Sequence, residues 1–333
     1  MERARLAADI GGTFTDVVLE RAGRRHSAKV LTTPRAPEEG MLEGISKVLS
    51  EARLAPGEVG VLIHGTTLAT NALIERKGAR TALVTTAGFR DVLEMGYEKR
   101  YEHYDLNLEL PAPLVPRELR FPVEERITAR GEIRTPLHED SFSEIASRLK
   151  AERVEAIAIG FLHSYANDAH ERRAGEILAA KLPGVSITLS SAVCPEIREY
   201  ERFSTACANA YVQPLMQGYL ERLAAELARR GMRCPVYLMT SGGGLTTLQT
   251  AGRFPVRLIE SGPAGGAILS AGLARENGLD EVLSFDMGGT TAKICYIGHG
   301  RPEQSRKFEV ARIWRNLKGS GLPVRVPVTE MVE

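Results

Sequence analysis

Cysteine is scarce. Four residues, Cys194, Cys207, Cys234 and Cys295, are spread through 333 with no C-x-x-C spacing. That excludes a disulfide scaffold and a zinc knuckle, and it fits reduced, packed thiols in a cytoplasmic protein. Excess charge of either sign is also missing. Lys plus Arg number 43 and Asp plus Glu 42, for a net charge of +1. The balance offers no electrostatic case for nucleic acid or an anionic membrane. No window approaches 18 uninterrupted apolar residues, and the first apolar run stops at Asp9. Neither a transmembrane helix nor a secretory segment is expected. Three motifs are absent as well. Without G-x-x-x-x-G-K-[ST] there is no Walker-type phosphate loop, without a helix-opening G-x-G-x-x-G no Rossmann site, and without G-x-S-x-G no nucleophile elbow.

What is present is an ordinary globular composition, 43% apolar and 26% charged, of a length for about two domains at ~100–200 residues each. The chain opens with short strands at Leu6–Ile10, Val17–Glu20 and His26–Leu31, read as an antiparallel meander. A helix over 34–54 follows, then a strand at Val59–His64, a helix over Leu68–Lys77 and a strand at Thr81–Thr85. Residues 96–138 carry Tyr97, Tyr101, Tyr104, Pro111, Pro113, Pro116 and Pro122, and read as a long ordered excursion. Strand and helix then alternate. The helices are Ser141–Glu152 and Ala166–Leu182, and the strands are Val154–Leu162 and Val185–Leu189. A mostly helical stretch, Pro195–Arg230, should break at Pro214. Beyond it come a strand at Val236–Thr240, a helix at Pro263–Glu276, two strands at Val282–Phe285 and Ala292–Ile297, and a last strand at Val324–Val328. The alternation indicates an α/β protein with mixed sheets.

The most informative feature is internal. Residues 8–17 read A-D-I-G-G-T-F-T-D-V and residues 285–294 read F-D-M-G-G-T-T-A-K-I. Each is an apolar strand, an aspartate, a Gly-Gly-Thr turn and a second strand. Glycines clear a tight turn so that backbone N–H groups can approach an anion. The threonine hydroxyl adds a donor, and an aspartate ending the first strand suits Mg²⁺ held largely through water. Facing hairpins would clamp a polyphosphate. This makes Gly11, Gly12, Thr13, Thr15, Asp16, Gly288, Gly289, Thr290 and Thr291 candidate phosphate ligands, with Asp9 and Asp286 as candidate metal and catalytic residues. The alternative is two glycine-rich turns with a polar rim.

Other residues also admit two readings. His64 opens a Gly-Thr-Thr loop leading into a helix, so with Thr66, Thr67 and Asn71 it is either part of an anion or substrate site or a structural histidine. Ser261 either caps a helix or joins Gly262 and Gly265 where a ligand comes close. Lys293 either points at phosphate or is a solvated strand residue. Arg198, Glu199, Glu201 and Arg202 have the spacing of a charged helix face, and Cys207 reads as packing.

Several stretches together resemble the hydantoinase A/5-oxoprolinase family. They are Ala8–Val17, His64–Leu73, Thr85–Asp91, Pro195–Arg202, Ser261–Gly266 and Phe285–Thr291. The resemblance runs along essentially the whole chain. It implies the ribonuclease H-like fold of actin, Hsp70 and sugar kinases, in two lobes: an N-terminal domain at 1–190 and an ATPase domain at 191–333. Family members are longer, so it also implies that the second lobe is incomplete. It implies ATP and Mg²⁺ as cofactors and a B-type subunit as partner. The implied reaction is phosphorylation of a cyclic amide, of the hydantoin or 5-oxoproline type, followed by ring opening. A ketone substrate with carboxylation, as in the acetone and acetophenone carboxylase subunits of this family, is the alternative. A truncated, non-catalytic binding protein is a further one. The resemblance also places His103, in the irregular segment, among substrate contacts.

Overall fold

The computed structural model describes residues 3–33, 35–287, 292–314 and 317–332. Two compact units are interleaved along the chain. The first takes Met1–Asn71, Met216–Arg306 and Pro327–Glu333, and the second Ala72–Leu215 and Lys307–Val326.

The first unit opens with the expected meander, β1 (Ala4–Ile10), β2 (Phe14–Arg21) and β3 (Arg24–Leu31). β1 alternates strictly between buried and exposed positions, the period of a half-buried strand. Helix α1 (Pro37–Ala52) lays Met41, Ile45, Val48 and Leu49 on one buried stripe, at the spacing that puts side chains on one helix face. Strand β4 (Val59–Thr66) pairs parallel to β1, and helix α2 (Leu68–Ile74) follows directly.

The second unit is built on β5 (Thr81–Thr86), β6 (Arg120–Val123), β7 (Ala156–Gly160) and β8 (Ser186–Leu189). They form an all-parallel sheet in the order β8-β7-β5-β6. Every residue of β5 and β7 is buried, as befits central strands covered on both faces. Helices α3 (Ser141–Ala151) and α4 (Ala169–Lys181) are the crossovers. Two expectations are corrected here. The excursion predicted over 96–138 does not stay irregular, because β6 joins the sheet. Pro122 fits there because β6 is an edge strand, where a missing N–H breaks no ladder. Nor does Pro214 break the next helix, α5 (Glu199–Arg229), which runs through it. The carbonyl of Tyr211, three residues before the proline, instead accepts the Ala79 N–H at 2.8 Å.

From Met216 the chain belongs to the first unit again. Strands β9 (Val236–Met239) and β10 (Leu245–Thr247) complete a six-stranded mixed sheet, β10-β9-β4-β1-β2-β3. Helix α6 (Ser261–Glu276) precedes a separate small sheet of β11 (Glu281–Met287), β12 (Ala292–Gly298) and β13 (Arg301–Pro302). The strand expected over Val324–Val328 is not one strand. Its residues divide between the units after Val326, and Pro327 stands at the division.

Candidate functional site

Asp9 occupies the last exposed position of β1, opposite Asp16 on β2 and Gly65 on β4. Parallel neighbours in register point their side chains the same way, and here that leaves no room for a second side chain. A Cβ on Gly65 would lie 2.5 Å from Asp9 Oδ1. Gly262, in the first turn of α6, lies under the same carboxylate, its Cβ position 3.9 Å from Oδ2. Two glycines thus shape a cradle for one carboxylate.

The surroundings disfavour charge on that carboxylate. Packing around Asp9 raises its pKa first, and the charges of Asp16 and then Asp286 raise it further. Asp286 sits on β11 in register with Lys293 on β12. Lys293 forms an ion pair with Glu260, so it is neither solvated nor a lone cation aimed at a phosphate. Glu260 precedes α6 in the left-handed conformation, at φ +62, a backbone state that costs a non-glycine residue energy and is held by its surroundings. Its N–H donates to Thr70 Oγ1 at 3.2 Å. Segments far apart in sequence therefore meet around Asp9: the first hairpin, the end of β4, the start of α6 and the second hairpin.

Among the described residues, no group of three or more His, Cys, Asp or Glu could hold a metal by itself. The donor set still fits Mg²⁺, which keeps most of its waters and takes one or two carboxylates beside a phosphate. A crowded carboxylate with a raised pKa, as at Asp9, is relieved by such a cation. Gly12 and Thr13 are exposed in the turn after β1. Among the described residues, its chain neighbours aside, no atom lies within 4 Å of where a Gly12 Cβ would be, so their packing does not require glycine there.

The model of the hydantoinase/oxoprolinase N-terminal region matches residues 5–182, and that of the hydantoinase/oxoprolinase domain matches residues 202–333. The chain belongs to the hydantoinase/oxoprolinase family. An uncharacterized protein of Methanocaldococcus jannaschii is 41% identical over 99% of the chain and 49% of its own length. The caprolactamase alpha subunit of Pseudomonas jessenii is 34% identical over 93% and 46%. The crystal structure of the ATP-dependent caprolactamase from that organism matches with a TM-score of 0.86, at 32% identity over 98% of the chain and 47% of its own. Nucleotide-free acetone carboxylase matches with a TM-score of 0.87, at 25% identity over 100% and 48%. This hydantoinase/oxoprolinase chain thus has the mixed α/β fold of the actin, Hsp70 and sugar-kinase ATPases, and it spans about half the length of the curated relatives it matches. Among the described residues, no helix is long and apolar enough to cross a membrane.

The structure brings Asp9, Asp16, Asp286 and Gly262 of the predicted residues together. Gly288, Gly289, Thr290 and Thr291 lie outside the described residues. Gly11 closes the first turn, its N–H donating to the Phe14 carbonyl at 3.0 Å. The side chain of Thr15 is buried on the opposite face of β2, where its hydroxyl meets Thr32 Oγ1 at 3.0 Å. Thr32 donates onward to the Gly11 carbonyl, so Thr15 must donate to Thr32, and the pair ties down the turn. Asp16 also pairs with Lys29 at 2.7 Å.

Ser261 is not a cap. It is fully buried inside α6 and donates to the Thr66 carbonyl at 3.4 Å. Gly265 lies one turn further along α6 and keeps partial exposure. Thr66, Thr67 and Asn71 bond chiefly to one another's neighbourhood at the entry to α2. Thr66 Oγ1 accepts the Leu68 N–H, and Thr67 Oγ1 accepts from the Asn71 amide. His103 is exposed and belongs to the second unit.

His64 is wholly buried, with both ring nitrogens engaged. The Ala8 carbonyl, 3.1 Å away, can only accept, so Nδ1 carries the proton and donates to it. Nε2 then accepts from the Tyr219 hydroxyl at 2.7 Å. Burial pushes the imidazole pKa down to about 4, so the ring is neutral and fixes β1 against β4 one residue from the Asp9–Gly65 contact.

Sequence reasoning did not single out Gly65, Glu260 or Tyr219. A glycine inside a strand is a cue for close approach and was the available signal for Gly65. Nothing local marks the other two. The charged-face reading of Arg198 to Arg202 is also corrected. Arg202 is fully buried and donates to Ser190 Oγ and to the Glu196 and Phe161 carbonyls. Glu201 is buried against Arg325 at 2.8 Å.

Proposed function

We propose that this chain forms the nucleotide-handling half of an enzyme that uses ATP to activate a carbonyl oxygen, in a lactam-type cyclic amide or a ketone. The Asp9 cradle carries the reading: a desolvated carboxylate, cleared by two glycines, feels the charge of a second aspartate from the matching hairpin. In this proposal Asp9 and Asp286 would hold Mg²⁺, and the turn at Gly11–Thr13 would present N–H groups and a hydroxyl to phosphate oxygens, with Gly288, Gly289, Thr290 and Thr291 of the repeated sequence as further phosphate ligands. Magnesium, when bound, neutralises charge on the transferring phosphoryl group. Gly65 and Gly262 keep the Asp9 carboxylate in place, and the His64–Tyr219 pair holds the strand that carries it. His103 is a proposed substrate contact of the second unit.

Transfer of the phosphoryl group to the carbonyl oxygen forms an O–P bond as the bond to ADP breaks. In a cyclic amide, water then attacks the activated carbon, the ring C–N bond breaks with a proton going to the nitrogen, and phosphate leaves. In a ketone, loss of an α-proton gives the enol phosphate, water takes off the phosphoryl group as phosphate, and the α-carbon forms a bond to CO2 released from bicarbonate. The names of the relatives favour caprolactam-type amides and ketones over hydantoins. The curated matches include caprolactamase and acetophenone carboxylase subunits covered over 46% and 42% of their lengths, whereas yeast 5-oxoprolinase is covered over 26%. A B-type subunit is the expected partner.

The test is calorimetric titration of Mg·ATP into the chain, with Asp9→Asn and Asp286→Asn alongside. Saturable binding, weakened at least tenfold by each substitution, is expected. A folded chain without saturable binding, or variants that bind like the parent, would overturn the reading. Phosphate release with lactams, and with ketones plus bicarbonate, then separates the substrates once a full-length chain and its partner are present.

A further inference from the structure

The second unit carries a polar cluster of its own. Its parallel strands lie in the order β6-β5-β7-β8. From β5 the chain steps to one side, to β6, and from β7 it steps to the other, to β8. The carboxyl ends of β5 and β7 therefore flank a topological switch point, where open α/β sheets hold ligands. Thr86, the last residue of β5, is buried there. Its hydroxyl accepts the Leu162 N–H from the loop after β7 at 2.8 Å and donates to Oε1 of Glu125, two residues past β6. Glu125 Oε2 lies 2.8 Å from Nδ1 of His170, in the first turn of α4.

A carboxylate oxygen accepts, so Nδ1 carries the proton and Nε2 the lone pair of the neutral ring. The Glu125 side chain is wholly buried, whereas 8% of the His170 side chain is exposed. Nε2 has no hydrogen-bond partner among the described residues. Glu171, the next residue, is placed differently. Its carboxylate accepts four bonds, from Phe161, Ser190 and both donors of Ser191, and is saturated by the loops it holds. His163, one residue beyond Leu162, is left-handed at φ +57. Its Nδ1 is buried without a partner among the described residues. Backbone strain of this kind clusters at ligand sites, and an unpaired buried nitrogen is what a ligand satisfies.

We propose that His170 is an acid–base residue for the carbonyl substrate, a lactam-type amide or a ketone, and that Glu125 is its positioning residue. The inference rests on the proposed reaction, each branch of which needs one base. In the amide branch Nε2 takes a proton from the attacking water while an oxygen electron pair forms the new C–O bond. The proton then passes to the ring nitrogen as the C–N bond breaks. In the ketone branch Nε2 takes the α-proton, and the C–H pair becomes the C=C bond of the enol phosphate. Glu125, held at its other oxygen by Thr86, fixes the tautomer and the ring orientation.

The test is carbethoxylation of the 333-residue chain by diethyl pyrocarbonate, which attacks a free imidazole nitrogen, followed residue by residue in mass spectrometry. It is run alone and with saturating ε-caprolactam or acetophenone. His170 should react, and one of the two probes should slow it at least tenfold while the exposed His103 keeps its rate. A His170 that stays unmodified in the folded chain overturns the proposal, and so does one that neither probe protects. Nitrogen NMR of the histidine-labelled chain reads the role of Glu125. The parent should show His170 protonated at Nδ1 alone, and Glu125→Gln should show a mixture of tautomers. An Nε2-protonated ring in the parent, which needs no variant to fold, or an unchanged signal in a folded variant overturns that role. Mg·ATP titration in parallel keeps the two readings apart. Mg·ATP binding without protection of His170 overturns this inference alone, and protection without Mg·ATP binding overturns the nucleotide site alone.

Discussion

Replacing Gly65 by alanine separates a site role from a packing role. The new methyl would stand 2.5 Å from Asp9 Oδ1, whereas the Asp9 Cγ and Cβ are already at 3.4 and 3.8 Å. Only the tip of the aspartate obstructs it, and β1 and β4 need not move. To reach ordinary contact at 3.4 Å, the oxygen must withdraw by 3.4 − 2.5 = 0.9 Å. Rotating one side chain off its preferred angle costs about 0.5–1.5 kcal/mol, so the melting temperature should fall by only a few degrees. A displacement of this size at a reacting centre can cost on the order of 100-fold. Mg·ATP affinity, read by calorimetry, should therefore fall between about 10- and 100-fold, the upper figure being ~2.8 kcal/mol. Undiminished affinity in a folded Gly65→Ala protein would refute the placement of Asp9 at the phosphate. A collapse of stability would show instead that Gly65 serves the backbone packing of β4.

Two further outcomes follow from buried groups away from the carboxylates. His64 has a folded pKa of about 4 against 6.5 when unfolded, so protonation favours the unfolded chain. Stability is full above pH 6.5 and declines from there toward pH 4, by about 3 kcal/mol for this group. Urea unfolding across that range should show the decline in the parent and a flatter profile in His64→Gln, and parallel profiles would refute it. Arg325→Met removes the partner of Glu201, whose side chain is only 6% exposed. Leaving that carboxylate without its cation, with only the Tyr97 hydroxyl beside it, should cost about 3 kcal/mol, measured by the same method, and a change below 1 kcal/mol would show the pair to be dispensable.

Much of this was legible in the chain. The meander, α1, β4, β7 and the second hairpin follow from apolar periodicity and from glycine at turns, which are local properties. The twin D-x-G-G-T segments single out Asp9 and Asp286 as candidates, and in the fold their charges interact. The errors share one cause. Pro214 reads as a break, the excursion over 96–138 as irregular, and Glu201 with Arg202 as a solvated face, because each is judged from its neighbours in sequence. In the fold, the Tyr211 carbonyl finds the Ala79 N–H, β6 finds β5, and Glu201 finds Arg325 more than 100 residues away.

The sequence by itself determined the element types, the family and the paired acidic turns, since backbone propensity and side-chain period are written residue by residue. Tertiary structure alone decided which threonines face inward, that His64 is neutral and locked between Ala8 and Tyr219, and that Lys293 is matched by Glu260. It also decided that a glycine on one strand makes room for a carboxylate on the next. These outcomes depend on desolvation and on contacts between distant segments, and both exist only once the chain has closed on itself.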